Sequence, residues 1–113
     1  MKSVREITKQ YNKMLESHQS EASPNMVNCY VCQRCKHITK TIDVDSGVTS
    51  FLLTCEKCGS IAKSTMYNDI APSQEPTQEW YRPTLKEVLK WRRTNTMMLE
   101  HILQGGLDVR NIK

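Results

Sequence analysis

Two Cys-x-x-Cys pairs, Cys32/Cys35 and Cys55/Cys58, with nineteen residues between them, constrain this chain more than any other feature. Each pair can offer two thiolates from one tight turn, and two pairs at this separation form a recognised metal-binding pattern. Four thiolates satisfy a tetrahedral divalent ion, and zinc is the usual occupant of a closed all-cysteine site. The turns also match in their surroundings: Val31-Cys32-Gln33-Arg34-Cys35-Lys36 aligns with Thr54-Cys55-Glu56-Lys57-Cys58-Gly59. Each follows a strand-like run and ends in a small or basic residue, where the backbone must turn to aim N–H groups at sulfur. The alignment selects Cys32, Cys35, Cys55 and Cys58 as ligands of one structural zinc ion. Cys29 forms a rival pair with Cys32, but it aligns with Leu52 and reads as a small buried residue of the lead strand. His37, two residues beyond Cys35, should already be leaving its turn.

A chain of 113 residues has room for one compact domain, or for a small module with helical attachments. With 38% hydrophobic residues and a single Phe, it is not expected to build a large apolar core. A metal-bound unit of about forty residues lies near the size where a metal supplements the core, so binding free energy is largely folding free energy. Five cysteines are an odd number, which argues against a disulfide framework. The start, Met1-Lys2-Ser3-Val4-Arg5-Glu6, has no apolar run of a signal peptide, and no stretch approaches a membrane span. Thiols kept as ligands suit a reducing compartment, so the cytoplasm is expected.

The expected fold class is small α+β: a zinc ribbon of antiparallel strands and two metal-binding turns, flanked by helices. Residues 1–26 comprise a helix over 3–20 and a linker through Ser23-Pro24. Ser3 and Glu6 form a capping box, and Val4, Ile7, Tyr11, Met14 and His18 recur at helical spacing, with Leu15 widening the stripe. That face is expected to pack in cis rather than pair as a coiled coil, which two heptads seeded with Tyr and His would hold poorly. Residues 27–67 form the ribbon: a short strand that Met26-Val27 leads into the first turn, a strand over His37–Val44, a turn at Asp45-Ser46-Gly47, a return over Val48–Thr54 and an exit over Ile61–Tyr67. Residues 68–83, with Pro72, Pro76 and Pro83, read as an extended strap carrying Trp80-Tyr81. In residues 84–113, Thr84 and Glu87 cap a helix whose apolar positions run from Leu85 to Leu103, and Gly105-Gly106 ends it.

No catalytic reading follows from these residues. A catalytic zinc needs an open position, which four thiolates do not leave, and neither a phosphate loop nor a plausible triad is present. No small-molecule substrate is evident. A rubredoxin-like iron site shares the paired turns, but the first has Lys36 where Gly is usual, and aromatics are few; zinc is favoured. Arg34, Lys36 and Lys57 beside the turns would offset the charge of the thiolates, or alternatively touch phosphate. Lys86, Lys90 and Arg93 share one side of the second helix. Trp80 and Tyr81 either lie on the chain itself or form an aromatic partner patch. The net charge of +4 permits a nucleic-acid partner without demanding one.

Residues 30–67 resemble the generic zinc ribbons of transcription factors, polymerase subunits and ribosomal proteins. Asp45-Ser46-Gly47-Val48-Thr49 with Phe51, the strap Glu79-Trp80-Tyr81-Arg82-Pro83 and the ending His101–Arg110 more closely resemble small uncharacterised zinc-ribbon proteins of bacterial viruses and prophages, particularly in the Bacteroidetes. The helix at 3–20 departs from that likeness and suggests an added interaction element. The resemblance implies a phage-encoded protein in a bacterial cytoplasm and brings no activity with it. The expected function is non-enzymatic binding of a protein partner, self-association included, with nucleic acid as the alternative.

Overall fold

The computed structural model describes residues 2–17 and 26–112. In chain order they form α1 (Val4–Ser17), β1 (Val27–Cys32), β2 (Ile38–Asp43), β3 (Leu52–Thr54), β4 (Ile61–Ser64), β5 (Gln78–Tyr81), α2 (Leu85–Lys90), α3 (Thr96–Leu103) and β6 (Asp108–Asn111). This is a small α+β chain with one six-stranded mixed sheet in the order β3-β4-β1-β2-β5-β6. The expected end of the first helix, with His18 and Gln19, and the linker over 20–25 lie outside the described residues.

The strands anticipated over 27–67 are present, though their bounds differ. β1 starts at Val27 and runs into the first turn as expected, with Val27 to Val31 all paired antiparallel with β2. β4 stops at Ser64 because Met66 and Tyr67 take left-handed backbone angles, φ 57° and 66°, which no strand tolerates. β3 is only three residues, and Val48, expected in the same strand, instead bridges Gly106. The sheet also continues beyond residue 67. The strap supplies β5, parallel to β2, and the tail supplies β6, antiparallel to β5. Residues 65–77 carry the chain from β4 across β1 and β2 to this place; the Thr65 and Thr77 amides donate to the Cys29 and Lys40 carbonyls on the way.

The side-chain period of two divides the sheet. Tyr30, Cys32, Leu53, Ala62 and Trp80 bury together with Cys55 and Leu107 on one face, and Val109 packs against them. Trp80 is 3% exposed, its ring tilted 43° against Tyr30 at 6.4 Å between centroids. The Tyr30 hydroxyl donates to the Ser50 carbonyl at 2.7 Å, and burial pushes the phenol up to about 12.

A second cluster belongs to the helices. Ile7, Tyr11 and Met14 of α1 bury against Val88 of α2 and Leu99 and Ile102 of α3. Burying each such aliphatic side chain stabilises by about 1.5–3 kcal/mol, enough to hold α1 in cis as its stripe suggested. The Tyr11 hydroxyl reaches the Pro83 carbonyl at 2.7 Å, tying α1 to the end of the strap. Ser3 caps α1 by accepting from the Glu6 amide at 3.2 Å.

The single helix expected after Pro83 is two. Thr84 and Glu87 form the anticipated capping box on α2, but α2 ends at Lys90 with Trp91 as its C-cap. Asn95 then starts α3 by accepting from the Met98 amide at 3.2 Å. An Asn that satisfies a free amide favours a new N-terminus over continuing the old helix. Leu85, Leu89, Met98 and Leu103 still pack on the same cluster, so the break folds one apolar stripe into two arms. Gly105, φ 96°, supplies the left-handed turn that leads α3 back towards the sheet. A Cβ at Gly106 would meet the His101 ring at 2.2 Å, so a side chain there would displace that ring.

Candidate metal centre

The two Cys-x-x-Cys turns fold almost identically, which is the local reason that four sulfurs meet. In the first, the Cys32 amide donates to the His37 carbonyl and the Lys36 amide returns to the Cys32 carbonyl. In the second, the Cys55 amide donates to Ser60 and the Gly59 amide returns to Cys55. The left-handed residues correspond as well: Lys36 at φ 63° and Gly59 at φ 79°. Lys36 thus adopts the conformation for which the second turn uses glycine, so the missing Gly does not alter the shape.

These turns aim amides at sulfur. Arg34 and Cys35 donate to Cys32 Sγ, both at 3.3 Å, and Lys57 donates to Cys55 Sγ at 3.4 Å. Cys32 Sγ lies 3.4 Å from Cys58 Sγ, and Cys35 Sγ lies 3.7 Å from Cys55 Sγ. All four sulfurs fall within 4.8 Å of one another. A tetrahedral zinc with Zn–S of ~2.3 Å separates its sulfurs by about 3.8 Å, so the set is positioned to hold one metal ion. The Ser60 amide and hydroxyl draw the Cys58 thiol down to about 6. The His37 amide favours the Cys35 thiolate, but burial and the three other sulfurs outweigh it and push that thiol up to about 11. A divalent cation is what would let all four ionise together.

His37 is not a member of the set. Its Nε2 lies 2.8 Å from Glu56 Oε2, and Thr77 donates to Glu56 Oε1 at 2.7 Å. One residue from each side is therefore joined outside the sulfurs, with the start of the strap bracing the joint. Burial works against the Glu56 carboxylate, yet the bonds from Thr77 and His37 outweigh it and hold the group below its ordinary range. The sequence carried no signal for this tie, because Glu56 fills a position of the Cys-x-x-Cys pattern at which the pattern specifies no residue type.

Cys29 also lies apart. It pairs with Lys40 across β1 and β2, and its sulfur sits 3.7 Å from Asp69 Oδ1. Asp69 receives the buried Lys40 ammonium at 3.0 Å, and Lys40 also donates to the Ala71 carbonyl. The register puts Cys29 on the opposite face from Cys32, which keeps it out of the four-sulfur cluster.

The basic residues singled out by sequence do not converge. Arg34, Lys36 and Lys57 are exposed around the turns, whereas Lys86 and Lys90 are exposed on α2 and Arg93 in the link to α3. Trp80 is inside the sheet core, which corrects its reading as a partner contact: its ring lies on this chain's own Tyr30. Tyr81 is half-buried beneath the Arg110 guanidinium, 3.9 Å from the ring centroid, and Arg110 is held by Glu79 at 2.6 Å. No family model matches the chain, and neither a curated protein nor a solved structure is similar to it. No helix among the described residues is long and apolar enough to cross a membrane.

Proposed function

We propose that this chain is a non-enzymatic binding protein, built on one structural zinc ion and acting on protein partners. On this reading β1–β4 and the two turns are a zinc ribbon, and the protein is phage- or prophage-encoded and works in the cytoplasm of a bacterial host. The closed four-sulfur set carries the proposal. Four thiolates around one point leave no coordination position for water or substrate, so the metal supplies shape rather than chemistry. The His37–Glu56–Thr77 tie supports that role, since it orders the turns around the ion instead of opening them. Co-purification from the host with and without nuclease tests the partner class. Protein partners that survive nuclease support the reading, and partners lost with nuclease defeat it.

A nucleic-acid partner is the second reading, favoured by the exposure of Arg34, Lys36, Lys57, Lys86, Lys90 and Arg93. Phosphate binding releases counterions, so affinity would fall steeply between two salt concentrations in a gel-shift assay. The net charge of only +4 places this second.

A further inference from the structure

We propose that the four-sulfur centre is a peroxide-responsive switch: oxidation enters at Cys58, closes a disulfide to Cys32 across the two turns, and frees the metal while the chain stays folded. This adds regulation to the structural zinc proposed above and rests on that reading. The turns expose their sulfurs unequally. Cys32 and Cys55, first in each turn, are 0% and 3% exposed and belong to the sheet core. Cys35 and Cys58, second in each turn, are open to solvent. The residue that follows each of them sets the approach. Lys36 follows Cys35 with a full side chain. Gly59 follows Cys58, and a Cβ there would meet nothing within 4 Å. A peroxide therefore has the freer path to Cys58.

Each exposed sulfur faces the buried sulfur of the other turn. Cys58 Sγ lies 3.4 Å from Cys32 Sγ, and Cys35 Sγ lies 3.7 Å from Cys55 Sγ. The first pair already stands inside the ~3.8 Å of a zinc tetrahedron, and a closure of about 1.4 Å brings it to bonding distance. The chemistry balances on these two sulfurs. The Cys58 thiolate attacks one peroxide oxygen, the O–O bond breaks, and a sulfenic acid forms as hydroxide leaves. The Cys32 thiolate then attacks the Cys58 sulfur and expels a second hydroxide. The two thiolates lose two electrons, the peroxide gains them, and two solvent protons turn both hydroxides into water. With two of its four ligands spent, the site loses its hold on the ion.

Loss of a structural metal ordinarily lets such turns come apart. Here a tie that uses no sulfur spans them. His37 beyond the first turn meets Glu56 of the second at 2.8 Å, and Thr77 braces Glu56 at 2.7 Å. That tie keeps Cys32 opposite Cys58 between oxidation and closure. The new bond then joins the two turns covalently and takes over the staple that the metal supplied. Cys29, the fifth thiol, is buried on the other face of β1 and takes no part.

The test uses the full metal-loaded chain, hydrogen peroxide as oxidant and a coloured zinc chelator as readout, with metal per chain measured first. Stoichiometric peroxide should release zinc about ten-fold faster than buffer alone, and mass mapping should find Cys58 joined to Cys32. Circular dichroism of the oxidised form should match that of the loaded protein, and dithiothreitol with added zinc should restore thiols and metal together. Cys29→Ser should behave as the wild type. Gly59→Asn sets a side chain beside Cys58 in a left-handed conformation that Asn accepts, so it should slow release about five-fold at unchanged zinc content. If Gly59→Asn fails to fold, the linkage map of the wild type carries the test alone. Linkage within one turn, linkage of Cys35 to Cys55 alone, or Cys58 carried to a sulfinic acid without a disulfide overturns the switch. Zinc retained under peroxide, or release with loss of the folded spectrum, overturns it as well. A purified chain that holds iron or no metal instead defeats the structural-zinc reading beneath it.

Discussion

Asn28→Ala is the most informative single perturbation of this fold. Asn28 is buried in β1, and its side chain is the hub for the turn after β4. Its Nδ2 donates to Ser64 Oγ at 2.9 Å, while its Oδ1 accepts from Ser64 Oγ at 3.2 Å and from the Tyr67 amide at 2.9 Å. At about 1 kcal/mol net for each bond, truncation loses about 3 kcal/mol, and an amide left unpaired adds to it. The same bonds offset the strain of two left-handed residues, which costs about 1 kcal/mol or more apiece. Truncation should therefore destabilise by about 3–4 kcal/mol, a large fraction of the stability of a small domain. Urea titration of the metal-loaded protein measures this as a lower midpoint at unchanged slope. Met66→Gly relieves one strained position at an exposed residue, so it should recover about 1 kcal/mol in the Asn28→Ala background. A loss below about 1 kcal/mol, with no recovery from the glycine, would refute the account of Asn28 as the pin.

Three further outcomes follow from the site and its surroundings. Cys29→Ser should leave metal content unchanged, because Cys29 lies on the other face beside Asp69; loss of metal would move the ligand set. Glu56→Ala should weaken metal binding by about ten-fold in a chelator competition, since it breaks the tie to His37 and Thr77; unchanged affinity would show the tie to be incidental. Burial raises the Asp43 carboxyl above its ordinary value, and its Oδ1 has no partner. The folded chain then holds that proton more tightly than the unfolded one, so stability falls as pH rises from about 4 through the raised value. Asp43→Asn should accordingly raise the melting temperature at pH 7 and flatten that fall; a lower melting temperature would reverse the sign.

The four-cysteine cluster was legible because its signal is local. Paired thiols at fixed spacing within matched turns encode their own geometry, so Cys32, Cys35, Cys55 and Cys58 could be selected without knowing the sheet. The stripe of Ile7, Tyr11 and Met14 and the cap at Thr84 were legible for the same reason. What escaped depends on distant parts of the chain. That Trp80 sits on Tyr30 follows from β5 joining β2 in parallel, a pairing that no period in Gln78–Tyr81 announces. The break between α2 and α3 turns on Asn95, a residue equally compatible with an exposed helix interior until its cap on Met98 is seen. The shortened β4 reflects backbone angles at Met66 and Tyr67 that neither residue prefers, imposed from β1 by Asn28.

Metal analysis of protein purified without added metal tests the central claim most directly, with the wild type and Cys55→Ser measured side by side. The account predicts one zinc per wild-type chain, and loss of both the metal and the cooperative unfolding transition in the variant. Iron in the wild type, no metal at all, or a variant that keeps its zinc and its transition would contradict it.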